Sequence, residues 1–246
     1  MHNKVIKLFI IIAAFIALLP NRALAQDTAP DLVKVVDSME QAFSKVDSYA
    51  AVFVKQERVG GSLLPQETVD IKFKKPFMVY MRWLKGPHEG REALYVQGRY
   101  GNKVVGHDGG LLRFITLHME PTGTTAMKGN RHPITDVGIG RLIEIVTSNF
   151  RRAQKESALE ARYRGTLDVY GRPAYSFEAV LPREKDRGYY ARRIELWVDR
   201  GYGLPTKILV YGWDGELLES YEYRDIRLDT GLTDGDFDEK NPGYGF

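Results

Sequence analysis

The sequence contains no cysteine. This absence excludes disulfide bonds, thiolate metal sites and thiol nucleophiles. It also excludes a lipid anchor of the bacterial lipoprotein kind, because that anchor is attached to a cysteine thiol. A chain without covalent cross-links has to be held together by its hydrophobic core, and 246 residues are enough to bury a substantial one.

Only one long apolar run occurs, and it lies close to the N-terminus. Two lysines precede the apolar run 8–19, and Ala23-Leu24-Ala25 follows it. A basic start, a run shorter than the ~20 residues that span a bilayer, and small residues at the spacing read by signal peptidase are typical of a secretory signal. We therefore predict a signal peptide over residues 1–25, cleavage after Ala25, and a soluble periplasmic protein. An uncleaved membrane anchor is the alternative.

An excess of positive charge is also missing once this segment is set aside. The whole chain has 35 Lys and Arg against 32 Asp and Glu, a net charge of +3. Residues 1–25 carry three of the basic residues and no acidic one, so residues 26–246 have no net charge. The composition gives no argument for nucleic-acid binding, and no nucleic-acid partner is predicted.

Motifs for metal or nucleophilic chemistry are absent as well. None of the four histidines after residue 25 pairs with another at a spacing of four, and no Gly-x-Ser-x-Gly occurs. Lys128 precedes Gly129, the reverse of the order in a phosphate-binding loop. We predict no catalytic residue, no metal and no cofactor. An enzyme that uses distant carboxylates is the least favoured alternative.

What the sequence does contain is strand patterning framed by two helices. Apolar residues at spacings of three and four predict a helix over 31–46, with Asp31 as N-cap. A second helix is predicted from Thr135 or Asp136 to Asn149. The predicted strands are 49–58, 68–74, 77–84, 92–97, 103–107, 111–116, 161–169, 174–181, 191–199, 206–211 and 217–228. Both faces of 77–84 are apolar, so this strand should be covered on both sides.

Short links between the strands imply antiparallel pairing. A sheet of this size must curl or split. The predicted fold class is α+β, with one large curved antiparallel sheet of about 10–11 strands. It forms a half-barrel with the helices covering its concave side.

Three stretches resemble a known bacterial group. They are Tyr49-Ala50-Ala51-Val52-Phe53-Val54-Lys55-Gln56; Ile71-Lys72-Phe73-Lys74-Lys75-Pro76 followed by 80–83; and Ile194-Glu195-Leu196-Trp197-Val198-Asp199 followed by Gly203-Leu204-Pro205, Asp214-Gly215 and 223–226. Together they are similar to the LolA-like and RseB-like superfamily of periplasmic lipoprotein carriers and sensors. Within it, the chain looks closest to a bacterial family of unknown function. The resemblance implies that residues 26–246 form one half-barrel domain with an apolar cavity that receives acyl chains.

Aromatic and aliphatic side chains in the predicted strands and second helix are either ordinary core or the wall of that cavity. The candidates for the cavity wall are Phe53, Val69, Ile71, Phe73, Phe77, Met81, Trp83, Phe114, Ile143, Phe177 and Trp197.

Lid or gate candidates are Lys75, Met119 and Met127. In the carriers, the residue that matches Lys75 is an arginine that links the sheet to the helical lid. A lysine cannot form the same two-pronged contact. The irregular stretch 118–135, which contains both methionines, is either a gate or an ordinary surface loop.

The leading functional prediction is a monomeric periplasmic carrier or binding protein for lipid or lipoprotein acyl chains. The alternative is a sensor or interaction module of the RseB type that binds a protein partner, such as an envelope membrane protein.

Overall fold

The computed structural model describes residues 29–182 and 188–246. The predicted signal peptide lies outside the described residues. The helices are α1 (Leu32–Ser44) and α2 (Ile139–Lys155). The strands are β1 (Ser48–Val59), β2 (Ser62–Leu63), β3 (Glu67–Lys74), β4 (Met78–Lys85), β5 (Glu92–Val96), β6 (Val104–His107), β7 (Leu117–Met119), β8 (Glu160–Val169), β9 (Arg172–Val180), β10 (Arg193–Asp199), β11 (Pro205–Tyr211) and β12 (Leu217–Leu228).

All twelve strands belong to one antiparallel sheet. Its order is β7-β6-β5-β4-β3-β1-β12-β11-β10-β9-β8, and the short β2 pairs with β1 alone. The sheet is open, with β7 at one edge and β8 at the other, and the first and last strands of the sequence meet at its centre. The predicted fold class is confirmed.

Side-chain alternation gives the central strands one face that packs against the helices, here called the inner face. On β1 this face carries Tyr49, Ala51 and Phe53, which share one buried cluster with Val36 and Met39 of α1. Helix α1 begins as predicted, because the Asp31 side chain accepts a hydrogen bond from the backbone N–H of Val33 at 2.9 Å. Helix α2 contributes to the same buried cluster, so both helices cover the same side of the sheet.

The opposite, outer face is covered over β4–β6 by the C-terminal tail. Phe237 is completely buried in a second hydrophobic cluster with Tyr80 and Leu94, and Tyr244 stacks on Tyr80 at 3.8 Å between ring centroids. These contacts explain why strand 77–84 is apolar on both faces. The tail that supplies the cover has few apolar residues, and its role is not visible in the sequence.

Two predicted elements are wrong. Residues 111–116 are not a strand: Gly110–Phe114 forms a 3-10 helix, and the edge strand begins only at Leu117. Gly110 has φ of 64°, which turns the chain out of the extended conformation just before the apolar run.

The second helix begins at Ile139 after Gly138, not at Thr135 or Asp136, which lie in a separate 3-10 turn. Its first N–H donates to the buried Tyr49 hydroxyl at 3.0 Å, so a side chain from β1 replaces the expected cap.

The two helices pack closely against each other on the inner face. A Cβ on Gly140 of α2 would lie only 2.3 Å from the ring of Phe43 in α1, so a larger residue here would displace that ring. Arg151 of α2 binds Asp37 and Glu40 of α1 at 2.9 and 2.6 Å. These contacts fix the helix pair above the sheet and leave space beside α2.

Candidate functional site

A partly open cavity of about 170 Å³ lies between the inner face and α2. Strands contribute Phe53, Met81 and Val210 to its wall, and α2 contributes Leu142 and Val146. These side chains provide a mainly apolar lining at the centre of the sheet. Such a space favours apolar ligands, because it removes their surface from water without requiring specific hydrogen bonds.

Four of the residues predicted from the sequence line this cavity: Phe53, Met81, Trp83 and Met119. The others on the inner face or α2 lie in the main hydrophobic cluster and do not line the cavity; they are Val69, Ile71, Phe73, Phe77, Ile143 and Phe177. Met127 is half-buried and is not among the lining residues.

Two of the predicted cavity candidates lie away from this cavity. Phe114 is 77% exposed on the 3-10 helix, because the segment that carries it is not part of the sheet. Trp197 lies between Leu196 and Val198, whose side chains join the inner cluster, so alternation places the tryptophan on the outer face. There the ammonium of Lys207 lies 5.3 Å from its ring. Neither residue lines the cavity.

Lys75 connects the sheet to helix α1. Its ammonium donates to the backbone carbonyls of Phe43 and Ser44 at 2.8 and 3.1 Å, and it lies 4.8 Å from the Phe43 ring. The carbonyls at a helix C-terminus lack intrahelical partners and attract a cation. A lysine therefore makes the sheet-to-helix link without the two-pronged contact of an arginine.

Lys55, Glu57 and Glu219 line one end of the cavity, and we call them, together with the Lys55 partner Glu67, the charged end. These four residues are at most 7% exposed. The Lys55 ammonium lies 3.3 Å from a Glu57 oxygen and 3.4 Å from a Glu67 oxygen. Tyr221 donates its hydroxyl hydrogen to Glu57 at 2.5 Å. Buried charges are costly unless they are paired in this way.

The loop between β7 and the 3-10 turn 134–136, residues 120–133, closes the cavity at this end, and we call it the strap. Asn130 accepts a hydrogen bond from Lys55 at 2.7 Å, and the backbone N–H of Arg131 donates to Glu57 at 3.0 Å. His132 contacts Glu219 at 2.9 Å, and the Arg131 guanidinium donates to the same carboxylate at 2.6 Å. The strap is therefore attached to β1 and β12 by polar contacts.

These contacts change two ionisation equilibria. Burial favours the neutral form of Glu57, but the charge of Lys55 and the hydrogen bonds from Tyr221 and Arg131 outweigh it, so the pKa of Glu57 is lowered. Burial likewise opposes the charged form of His132, but its hydrogen bond to Glu219 and the nearby carboxylates outweigh it, so the pKa of His132 is raised. Both shifts favour the charged state that holds the strap.

The charged end was not predicted from the sequence, although the alternation of two strands contains a signal for it. Lys55 and Glu57 continue the inner-face series that starts at Tyr49, and Glu219 lies directly opposite Glu57 in the pairing of β1 with β12. Charged residues at inward positions indicate a buried polar cluster. The partners from the strap are separated from β1 by about seventy residues of sequence and give no local signal.

Residues 29–182 and 188–246 contain neither a cluster of metal-ligating side chains nor a membrane-spanning helix. No group of three or more His, Asp and Glu side chains in these ranges is placed to hold a metal ion. No helix there is long and apolar enough to cross a bilayer.

The family model of "Protein of unknown function (DUF1571)" matches residues 46–246 of the chain. No protein of curated function matches the sequence.

Among solved structures, LppX from Mycobacterium tuberculosis superposes with a TM-score of 0.50 and 13% identity, covering 82% of this chain and 97% of LppX. MucB from Pseudomonas aeruginosa, solved with MucA, has a TM-score of 0.48 and 19% identity; the match covers 85% of this chain and 61% of MucB. The chain thus spans about six tenths of MucB.

One conclusion follows from the match to residues 46–246, together with the strand order and the helix pair over the inner face. The chain belongs to the DUF1571 family and shares the fold of LppX.

Proposed function

We propose that this protein is a periplasmic carrier that binds an acyl chain of a lipid or lipoprotein in the cavity between the inner face and α2. The observation that supports the proposal is the apolar wall that Phe53, Met81, Val146 and Val210 form between the inner face and α2. The proposed location rests on the signal-like sequence of residues 1–25. No catalytic residue is proposed.

The energy available from such a ligand is large. Each buried methylene contributes about 0.8 kcal/mol, so a chain of ~14 methylenes supplies roughly 11 kcal/mol before the cost of ordering the chain and the protein. Binding of this kind does not depend on the identity of the head group. It fits a carrier whose cargo differs in its polar part.

The cavity must expand to take this chain. Its volume of about 170 Å³ is below the roughly 300–1,000 Å³ of typical small-molecule sites. The strap is the element proposed to move, because it contributes Thr125, Ala126 and Asn130 to the wall and is held mainly by side-chain contacts at the charged end. Met119 at its base and Met127 within it remain gate candidates, since methionines adapt to irregular apolar ligands.

The experiment combines lipid extraction with titration of a fluorescent fatty acid. Protein purified from its native envelope should carry acyl lipid, and the delipidated protein should take up the probe. Two adjacent residues of β11 provide a matched pair of variants: Val210 lines the cavity, whereas Leu209 points to the outer face. Val210→Phe fills part of the cavity and should weaken uptake at least tenfold, while Leu209→Phe should not change it.

Two results would count against the proposal. One is a wild-type protein that contains no lipid and takes up no probe. The other is equal uptake by both variants when circular dichroism shows that both are folded.

A module that binds a protein partner is the alternative function. A pull-down from the native envelope that recovers one stoichiometric protein, from preparations free of acyl lipid, would favour it over the carrier.

A further inference from the structure

One surface segment is unusually apolar for a surface loop. Over seven consecutive positions, five large apolar side chains are exposed by 45–94%, and we call them the docking patch: Leu111, Leu112, Phe114, Ile115 and Leu117. Single exposed apolar residues are common, whereas a contiguous group marks a surface that binds a partner or a membrane.

The patch adjoins the cavity. Leu117 is 45% exposed and also lines the cavity, as does Met119 two residues later on β7. Exposed apolar side chains therefore follow one another along the chain from the 3-10 helix to a residue of the cavity wall. Whatever covers the patch also faces this side of the cavity.

We infer that the docking patch inserts into the surface of a lipid bilayer and places the cavity beside it. The patch is a short turn, whereas a stable protein interface uses about 20–30 residues on each side. An apolar turn of this size suits an interface into which a few side chains can sink among acyl chains.

The single charged residue in the segment fits the same surface. Arg113 is exposed, and its guanidinium lies 4.6 Å from the centre of the Phe114 ring. When the ring enters the apolar layer, a long side chain beside it can reach back to phosphate groups. Arg113 should therefore add affinity for anionic lipids.

The inference rests on the proposed function only for the reason why the protein docks, and vesicle binding itself is measured without an acyl probe. Purified exported protein is sedimented with mixed vesicles of phosphatidylethanolamine and phosphatidylglycerol. The double variant Leu111→Ser/Phe114→Ser should lose at least roughly tenfold in vesicle affinity, because two exposed apolar side chains no longer insert. Arg113→Gln should lose about fivefold on these vesicles and little on neutral phosphatidylcholine.

The matched control is Leu63→Ser/Leu167→Ser, which removes two exposed apolar residues elsewhere on the sheet. It should bind vesicles as the wild type does. All variants alter exposed side chains, so circular dichroism should show an unchanged fold.

Equal vesicle binding by the patch variant and the control would overturn the inference. The inference would also be overturned if the wild-type protein did not bind vesicles but formed a dimer, and the patch variant did not form that dimer. Analytical ultracentrifugation measures the dimer. Loss of vesicle binding with intact uptake of dissolved fatty acid would support docking. Intact vesicle binding without any uptake would refute the carrier proposal alone.

Discussion

The two halves of strand β1 present opposite chemistry on the same face. Tyr49, Ala51 and Phe53 form a dry end, where Tyr49 stacks on Phe73 and Phe53 stacks on Tyr223. Lys55 and Glu57 continue the same alternation but belong to the charged end. Strand β1 thus combines a packed core at one end with a site at the other end that holds the strap by exchangeable polar contacts. We expect the dry end to set stability and the charged end to control access.

The largest loss of stability is expected from a substitution at the dry end. Phe73→Ala should reduce the free energy of unfolding by about 3–5 kcal/mol, because the buried ring packs against Tyr49 and Phe77 and leaves a cavity when removed. Urea denaturation measures this loss. Phe114→Ala, at an exposed phenylalanine, should change the same quantity by less than about 0.5 kcal/mol. Similar losses in both variants would mean that the dry end is misassigned.

A somewhat smaller loss is expected from breaking the charged end. Lys55→Met leaves Glu57 and Glu67 buried without their cation and should cost about 3 kcal/mol. Lys74→Met is the control, because its partner Asp47 is largely exposed and such pairs contribute at most about 1 kcal/mol. Hydrogen exchange of Asn130 and its neighbours should also accelerate in Lys55→Met. Unchanged exchange there would show that Lys55 does not hold the strap.

The link between the sheet and α1 should contribute less. Lys75→Met removes two hydrogen bonds to the C-terminal carbonyls of α1 and should cost about 1 kcal/mol, measured by thermal unfolding. Lys75→Arg keeps a cation at that position and should restore most of the stability. Equal destabilisation by both replacements would contradict a role for the charge.

The smallest expected effect is a pH dependence of the protein's stability that arises from His132 in the strap. Because the pKa of His132 is raised, the charged histidine stabilises the folded protein below its ordinary pKa of about 6.5, and this contribution is lost as pH rises through the raised value. The melting temperature of the wild type should therefore fall more than that of His132→Asn between about pH 6 and pH 8. His118→Asn, outside the strap, is the control. Parallel profiles for the wild type and His132→Asn would refute the linkage.

The inward-facing series of the central strands can be predicted from the sequence, because period-two alternation is a local pattern. Phe53, Met81 and Trp83 follow inward series on their strands and line the cavity. Trp197 lies on the outer face because its place in the alternation of β10, and not its residue type, decides which face it joins. Phe114 lies outside the sheet because Gly110 turns the chain out of the extended conformation just before the apolar run.

The charged end depends on contacts that local patterns do not contain. Arg131 and His132 contact Glu219, which lies nearly ninety residues away in the sequence. The strap that carries them has no regular periodicity. Phe237 and Tyr244, which cover the outer face, lie even farther along the sequence from the strands that they protect. The charged end and the cover of the outer face both form only when distant parts of the chain pack across the sheet.

The most direct test of the central claim is the position of a bound acyl chain, mapped with a fatty acid that carries a photoactivatable group along its chain. After illumination and proteolysis, mass spectrometry identifies the modified residues. The account predicts cross-links to Met81, Val146 and Val210, with none on the outer-face residues Leu209 and Trp197. Cross-links confined to the outer face, or to the docking patch without any in the cavity, would contradict it.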